Sequence, residues 1–115
     1  MIVAGFSIHH CTGEEKEGLL KKIYTSLTPN GVFGICDLMI DRNSLEHHQL
    51  LKDWKKFVLN NYANEDKWKW LMEHYQEFDK PDDLNNYIKW LKKAGFTKIE
   101  PFVNEHYWVY LRAFK

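Results

Sequence analysis

Two short apolar runs, each ending at a polar step, limit what this chain can fold into. Ile2 to Ile8 carries almost no polar side chain and stops abruptly at His9-His10, and Val32 to Cys36 does the same before Asp37. Runs of that length predict strands buried on both faces, as parallel sheets require. Between them Thr12 offers a capping hydroxyl with Glu15 three residues on, and Leu19, Leu20, Ile23, Tyr24 and Leu27 recur at helical spacing. This predicts a helix from about residue 13 to about residue 27, and Pro29-Asn30-Gly31 then supplies a turn. Strand, helix and strand make a βαβ unit, and parallel strands end at one edge of a sheet, where open α/β folds place ligands. His9, His10 and Cys11 are therefore expected near Cys36 and Asp37.

Past Asp37 the pattern changes. Leu50, Leu51, Trp54, Phe57 and Val58 repeat at helical spacing behind a cap running from Asn43 to Glu46. A second helix is predicted with Asn64 as cap, Glu65 and Asp66 in its first turn, and Trp68, Leu71, Met72 and Tyr75 on one face. Together these make a helical insert over residues 43–78. Pro81-Asp82-Asp83 opens a third helix striped by Leu84, Tyr87, Ile88 and Leu91, and Gly95 can take the left-handed conformation that stops it. Residues 97–102 and 106–114 are β-rich around Val103-Asn104-Glu105, so an antiparallel hairpin should end the chain. Nothing in the pattern marks a linker, so residues 1–115 read as a single α/β domain.

Composition narrows the partners. Sixteen basic and sixteen acidic side chains cancel, so no global field draws the chain to nucleic acid or to an anionic membrane. Lys67-Trp68-Lys69-Trp70 interleaves bases and aromatics, but Trp68 belongs to an apolar face while the lysines alternate with Asp66 and Glu73, as in an ordinary amphipathic helix. Only Trp70 falls off that face. Two cysteines and the absence of a signal-like start predict reduced thiols and a cytoplasmic location. His9, His10, Cys11, Cys36 and Asp37 include donors that zinc accepts, yet neither paired-cysteine nor H-x-x-x-H spacing occurs, so no metal is expected.

Three stretches together resemble the second half of class I S-adenosylmethionine-dependent methyltransferases, especially those acting on small molecules. Ile2 to His10 leading into Glu15 to Leu27 looks like the fourth strand and its helix. Leu27-Thr28-Pro29-Asn30-Gly31 before Val32 to Asp37 is similar to the family's L-x-P-G-G turn and fifth strand, with Asn30 in place of the first glycine. Pro81 to Leu84 through Ala94-Gly95-Phe96 is similar to the final helix and its stop.

The resemblance implies a partial Rossmann-like sheet with strands equivalent to 4-5-7-6, inserted helices and a C-terminal antiparallel hairpin. It places His9 and His10 beside the cofactor and makes 43–78 a candidate substrate lid. His10 and Asp37 are candidate catalytic groups, because methyl transfer needs a deprotonated, aligned acceptor. The family's glycine-rich turn and ribose-binding acid precede the region matched, and no G-x-G-x-G or G-x-G-x-x-G pattern occurs here.

The expectation is thus the substrate-side half of an enzyme that methylates a small molecule. S-adenosylmethionine would serve full-length relatives, and the chain alone would bind no cofactor and be inactive. Its first strand would be an open edge, pairing through residues 2–8 with a second copy or a separate N-terminal half. The alternative is a non-catalytic oligomeric or interaction module that uses the same edge.

Overall fold

Residues 1–62 and 64–115 are described by a computed structural model. Its four strands pair in the order β1 (Ile2–Gly5), β2 (Val32–Leu38), β4 (Trp108–Phe114), β3 (Lys98–Asn104). β1 runs parallel to β2, and β4 is antiparallel to both neighbours, so the expected 4-5-7-6 arrangement with its terminal hairpin is present. Between the strands lie α1 (Gly13–Ser26), α2 (Leu45–Tyr62), α3 (Glu65–Phe78) and α4 (Leu84–Ala94).

The helix starts follow local chemistry. Thr12 and Glu15 form the reciprocal cap, the Glu15 amide donating to Thr12 Oγ1 at 3.3 Å and the Thr12 amide to Glu15 Oε2 at 2.7 Å. Asn64 and Asp83 cap α3 and α4. At α2 the cap is Ser44, one residue past the Asn43 expected, because its Oγ accepts from the His47 amide at 3.1 Å. Gly95 ends α4 with φ 118°, and a Cβ there would come within 2.7 Å of Tyr24. Asn30 takes φ 62°, which explains how it stands in for glycine in the turn before β2.

Register puts Ile2 and Ala4 beside Phe33 and Ile35, and these beside Ala113 and Leu111. All lie on one face, where α1 and α4 cover them with Leu20, Tyr87 and Leu91. Each fully buried side chain of this size stabilises the fold by about 1.5–3 kcal/mol. The other face carries Val3, Tyr110 and Phe102, which are 62%, 47% and 68% exposed. Only its end is covered, where Leu38 and Trp108 join Leu50, Trp54 and Tyr75 of the α2–α3 pair.

β1 is accordingly half-buried by alternation rather than buried on both faces, since among the described residues no helix packs over Val3. It is also shorter than the expected 2–8. The Phe6 amide makes the last bond, to the Cys36 carbonyl at 2.8 Å, then Phe6 turns left-handed at φ 49° and Ile8–His10 forms a 3-10 turn. β2 runs on through Asp37 to Leu38 instead of stopping at Asp37. The hairpin turn falls slightly later than expected, with positive φ at Glu105 and His106.

Candidate active site at the end of the parallel strands

The left-handed step at Phe6 swings the chain off the sheet just where β2 presents Asp37. Asp37 is fully buried, and such a carboxylate must collect donors to stay there. It receives the His9 amide on Oδ2 at 3.0 Å, the Leu38 amide on Oδ1 at 2.9 Å, and an ion-paired hydrogen bond from His9 Nδ1 on Oδ1. Ile8, itself buried, anchors the turn beneath them. The expected meeting of His9 with Asp37 therefore occurs, through side chain and backbone together.

On its far side the His9 ring meets a second carboxylate. His9 Nε2 lies 3.0 Å from Asp79 Oδ1, and His10 Nδ1 lies 3.2 Å from the same oxygen and 3.2 Å from the Phe78 carbonyl. Asp79 sits at the C-terminus of α3, its amide bonded to the Tyr75 carbonyl at 2.9 Å. The hydrogen bond that His9 donates to Asp37, reinforced by the charges of Asp37 and Asp79, raises the His9 pKa above its ordinary value in spite of burial.

A fully buried lysine holds this arrangement in place. Lys16 Nζ, on α1, donates to the Lys80 carbonyl and to Asp82 Oδ2 at 2.7 Å, and the Lys80 amide donates to the His9 carbonyl at 2.7 Å. The segment carrying Asp79 is thus pinned to α1 on one side and to the 3-10 turn on the other.

His9 and Asp79 open onto a cavity of about 190 Å³. Phe6, Leu38 and Trp108 line it from the sheet side, and Trp54, Leu71 and Tyr75 of α2 and α3 line it from the other. Such a space accommodates a molecule of about one ring, below the several hundred Å³ of drug-sized sites. A larger groove on the insert, lined by Val58, Tyr62, Trp70 and Leu71, contains no histidine. It is where Trp70 lies, its ring stacked on His74.

Of the residues singled out in the sequence, His9, His10 and Asp37 come together. Cys11 and Cys36 are free thiols outside the group, Cys36 being on the opposite face of the sheet from Asp37. Asp37 bonds the His9 amide within the 3-10 turn and does not reach solvent. His47 is structurally bonded, with Nε2 2.8 Å from the Tyr75 hydroxyl, and burial lowers its pKa. Asp79 and Lys16 were missed. Asp79 is far from His9 along the chain, and Lys16 lies within an ordinary run of charge, so neither carries a local signal.

No protein-family model matches the sequence, and no curated protein matches it. Solved structures do. The fold resembles human N-acetylserotonin methyltransferase in complex with SAM, at TM-score 0.64 and 18% identity over 98% of this chain. PigF with SAH resembles it at 0.61 and 18% over 99%, and the apo form of the S-adenosylmethionine-dependent methyltransferase SibL at 0.62 and 15% over 98%. The chain has the fold of the C-terminal part of a class I methyltransferase. It spans 28%, 29% and 30% of those three chains.

Whether this methyltransferase-like chain offers a cofactor cradle can be judged from its glycines. The two that a Cβ would crowd most, Gly31 and Gly95, are crowded by Thr28, Leu27 and Tyr24 of the chain itself. Gly5, at the end of β1, would meet nothing within 4 Å. That leaves open space beside Gly5, with no G-x-G-x-G or G-x-G-x-x-G pattern accompanying it.

Proposed function

We propose that this chain supplies the acceptor side of a methyl transfer from S-adenosylmethionine to a small, planar molecule carrying a hydroxyl or amine. The cofactor cradle would come from a separate segment, and the chain alone would be inactive. One observation carries the reading: a buried Asp37–His9 pair that opens into an aromatic pocket. Asp37 accepts from Nδ1 and so fixes the His9 tautomer and ring plane, leaving Nε2 directed at the pocket. An acceptor hydroxyl would have to displace Asp79 together with the Nε2 proton, which leaves on the Asp79 carboxylate; the freed Nε2 lone pair would then take the hydroxyl proton while the aromatic walls held its ring in line for attack. Being fully buried, Asp37 acts through His9 as a positioning residue. His10 lines a neighbouring cavity with His74, Phe78 and Lys80, and the resemblance would put it and His9 beside a cofactor.

The test is methyl transfer from labelled S-adenosylmethionine to a panel of one-ring phenols and amines, with the chain alone and with a separately produced N-terminal half. Turnover is expected only in the mixture and is expected to disappear in His9→Ala. Turnover by the chain alone, or turnover unchanged in His9→Ala, contradicts the reading.

A second reading, an oligomeric or interaction module, draws on the open edge. β1 ends the sheet with unpaired backbone groups and no charge, beside the exposed side chains Met1, Val3 and Phe6. Under either reading residues 2–8 are the proposed contact with a second copy or an N-terminal half. Light scattering at micromolar concentration should show self-association, with slow amide exchange in β1; a monomer with fast exchange there removes the self-association. Among the described residues no helix is long and apolar enough to cross a membrane.

A further inference from the structure

We infer that His9, His10 and Asp79 form a binding site for a divalent first-row metal ion of the zinc type. Their ligand atoms, His9 Nε2, His10 Nδ1 and Asp79 Oδ1, all lie within 4.8 Å of one another. The Asp79 oxygen is 3.0 Å from one nitrogen and 3.2 Å from the other. In a tetrahedral zinc site with bonds of roughly 2.0–2.1 Å, ligand atoms stand about 3.3 Å apart, so these separations need to open by only a few tenths of an ångström. Two imidazoles and one carboxylate suit zinc, cobalt or nickel better than a hard oxygen-seeking ion.

The surroundings resemble a metal site more than a chance cluster. His9 is oriented by Asp37 on Nδ1, the carboxylate-to-histidine support that metal-bound histidines commonly have, and this leaves Nε2 as the donor. Ile8–His10 is a 3-10 turn, and that turn brings two successive rings to a centroid distance of 4.1 Å. Asp79 is held against them by the Lys80-to-His9 and Lys16-to-Lys80 hydrogen bonds. His10 is 47% exposed, so a fourth position faces solvent, as in three-ligand zinc sites that keep a water. Two features oppose a cation: His10 Nδ1 must give up its 3.2 Å hydrogen bond to the Phe78 carbonyl, and Lys80 Nζ reaches to 3.5 Å from the His10 carbonyl and lines the neighbouring cavity. A metal ion and an acceptor proton would compete for the same Nε2, so metal loading would silence the base proposed above. The site itself stands on geometry and does not depend on that reading.

Zn²⁺ uptake by the whole chain, followed by calorimetry and by elemental analysis after desalting, tests it directly. Stoichiometric binding is expected, with Co²⁺ giving the intense visible bands of a tetrahedral site. His10→Ala, which removes a half-exposed ring and its contacts with Phe78 and Asp79, should abolish stoichiometric uptake while circular dichroism stays unchanged. Asp37→Asn should weaken binding roughly 10–100-fold. Lys80→Ala should strengthen it, and the exposed His106→Ala should leave it alone. Substoichiometric uptake by the wild type, or undiminished uptake by His10→Ala, overturns the inference.

Discussion

On one face of the sheet, Phe33, Ile35, Val109, Leu111 and Ala113 lie under α1 and α4; on the other, Val3, Phe102 and Tyr110 from the same strands stand in the open. Strand chemistry does not separate the two, since valine and aromatic residues occur on both. What differs is the supply of cover. The chain provides two helices for one face and, for the other, an α2–α3 pair that reaches only the end of β2 and β4. The covered face therefore carries the stability, and the bare face and the β1 edge are where the proposed association would take place.

Truncation on the covered face should have the largest effect. Leu91 is fully buried in the main core, and Leu91→Ala should cost about 2–5 kcal/mol in denaturant unfolding. Tyr110→Ser on the bare face should cost clearly less, about 1 kcal/mol or below. Equal costs would mean that the two faces are packed alike.

Lys16→Met comes next. Removing one partner of a buried pair costs about 3–5 kcal/mol, and less is expected here, about 2–4, because Asp82 is partly exposed and can be rehydrated. The same substitution should loosen residues 79–82 and with them Asp79 against His9, visible as faster exchange of the Lys80 amide.

At the edge, Val3→Lys should change stability little but shift the sedimentation profile toward monomer, because a charge in an edge strand opposes pairing. A persistent oligomer would move the interface elsewhere.

The smallest effects concern pH, with a chelator present so that no metal occupies His9. The His9 pKa is raised by Asp37 and Asp79, so its contribution to stability is complete below about 6.5 and is lost as pH rises through the folded value. The His47 pKa is lowered, by burial first and then by the charge of His48; a backbone hydrogen bond at Arg42 raises it, the Arg42 charge lowers it, Asp41 raises it, and the Tyr75 hydroxyl is bonded to it. Its contribution is complete above about 6.5 and is lost as pH falls through the folded value. Stability should therefore be greatest near 6.5 on these two groups, with His9→Gln flattening the alkaline limb and His47→Gln the acid limb. Tyr75, pushed up to about 12 by burial, stays protonated throughout.

Much of this was legible in the residues. Each helix carried its cap and stripe, and the β4 sequence Trp108-Val109-Tyr110-Leu111-Arg112-Ala113 displays its two faces by alternation. Ile2 to Ile8 does not, because an all-apolar run is silent about which face is covered and about the left-handed step at Phe6 that ends it. His9 with Asp37 was legible because parallel strands end together. Asp79 was not, since only the way α3 returns to the sheet brings it there. Lys16 was unreadable for a similar reason: a lysine in a charged run gives no sign of burial until Asp82 and the Lys80 carbonyl arrive from a distant segment to receive it.

The proposed function has this chain hold the acceptor side of a methyl transfer, with the cofactor cradle supplied from elsewhere. Titration of the isolated, chelator-treated chain with S-adenosylhomocysteine tests it most directly. No heat of binding in the micromolar range is predicted for the chain alone, with binding restored when a separately produced N-terminal half is added. Micromolar binding by the chain alone would contradict it.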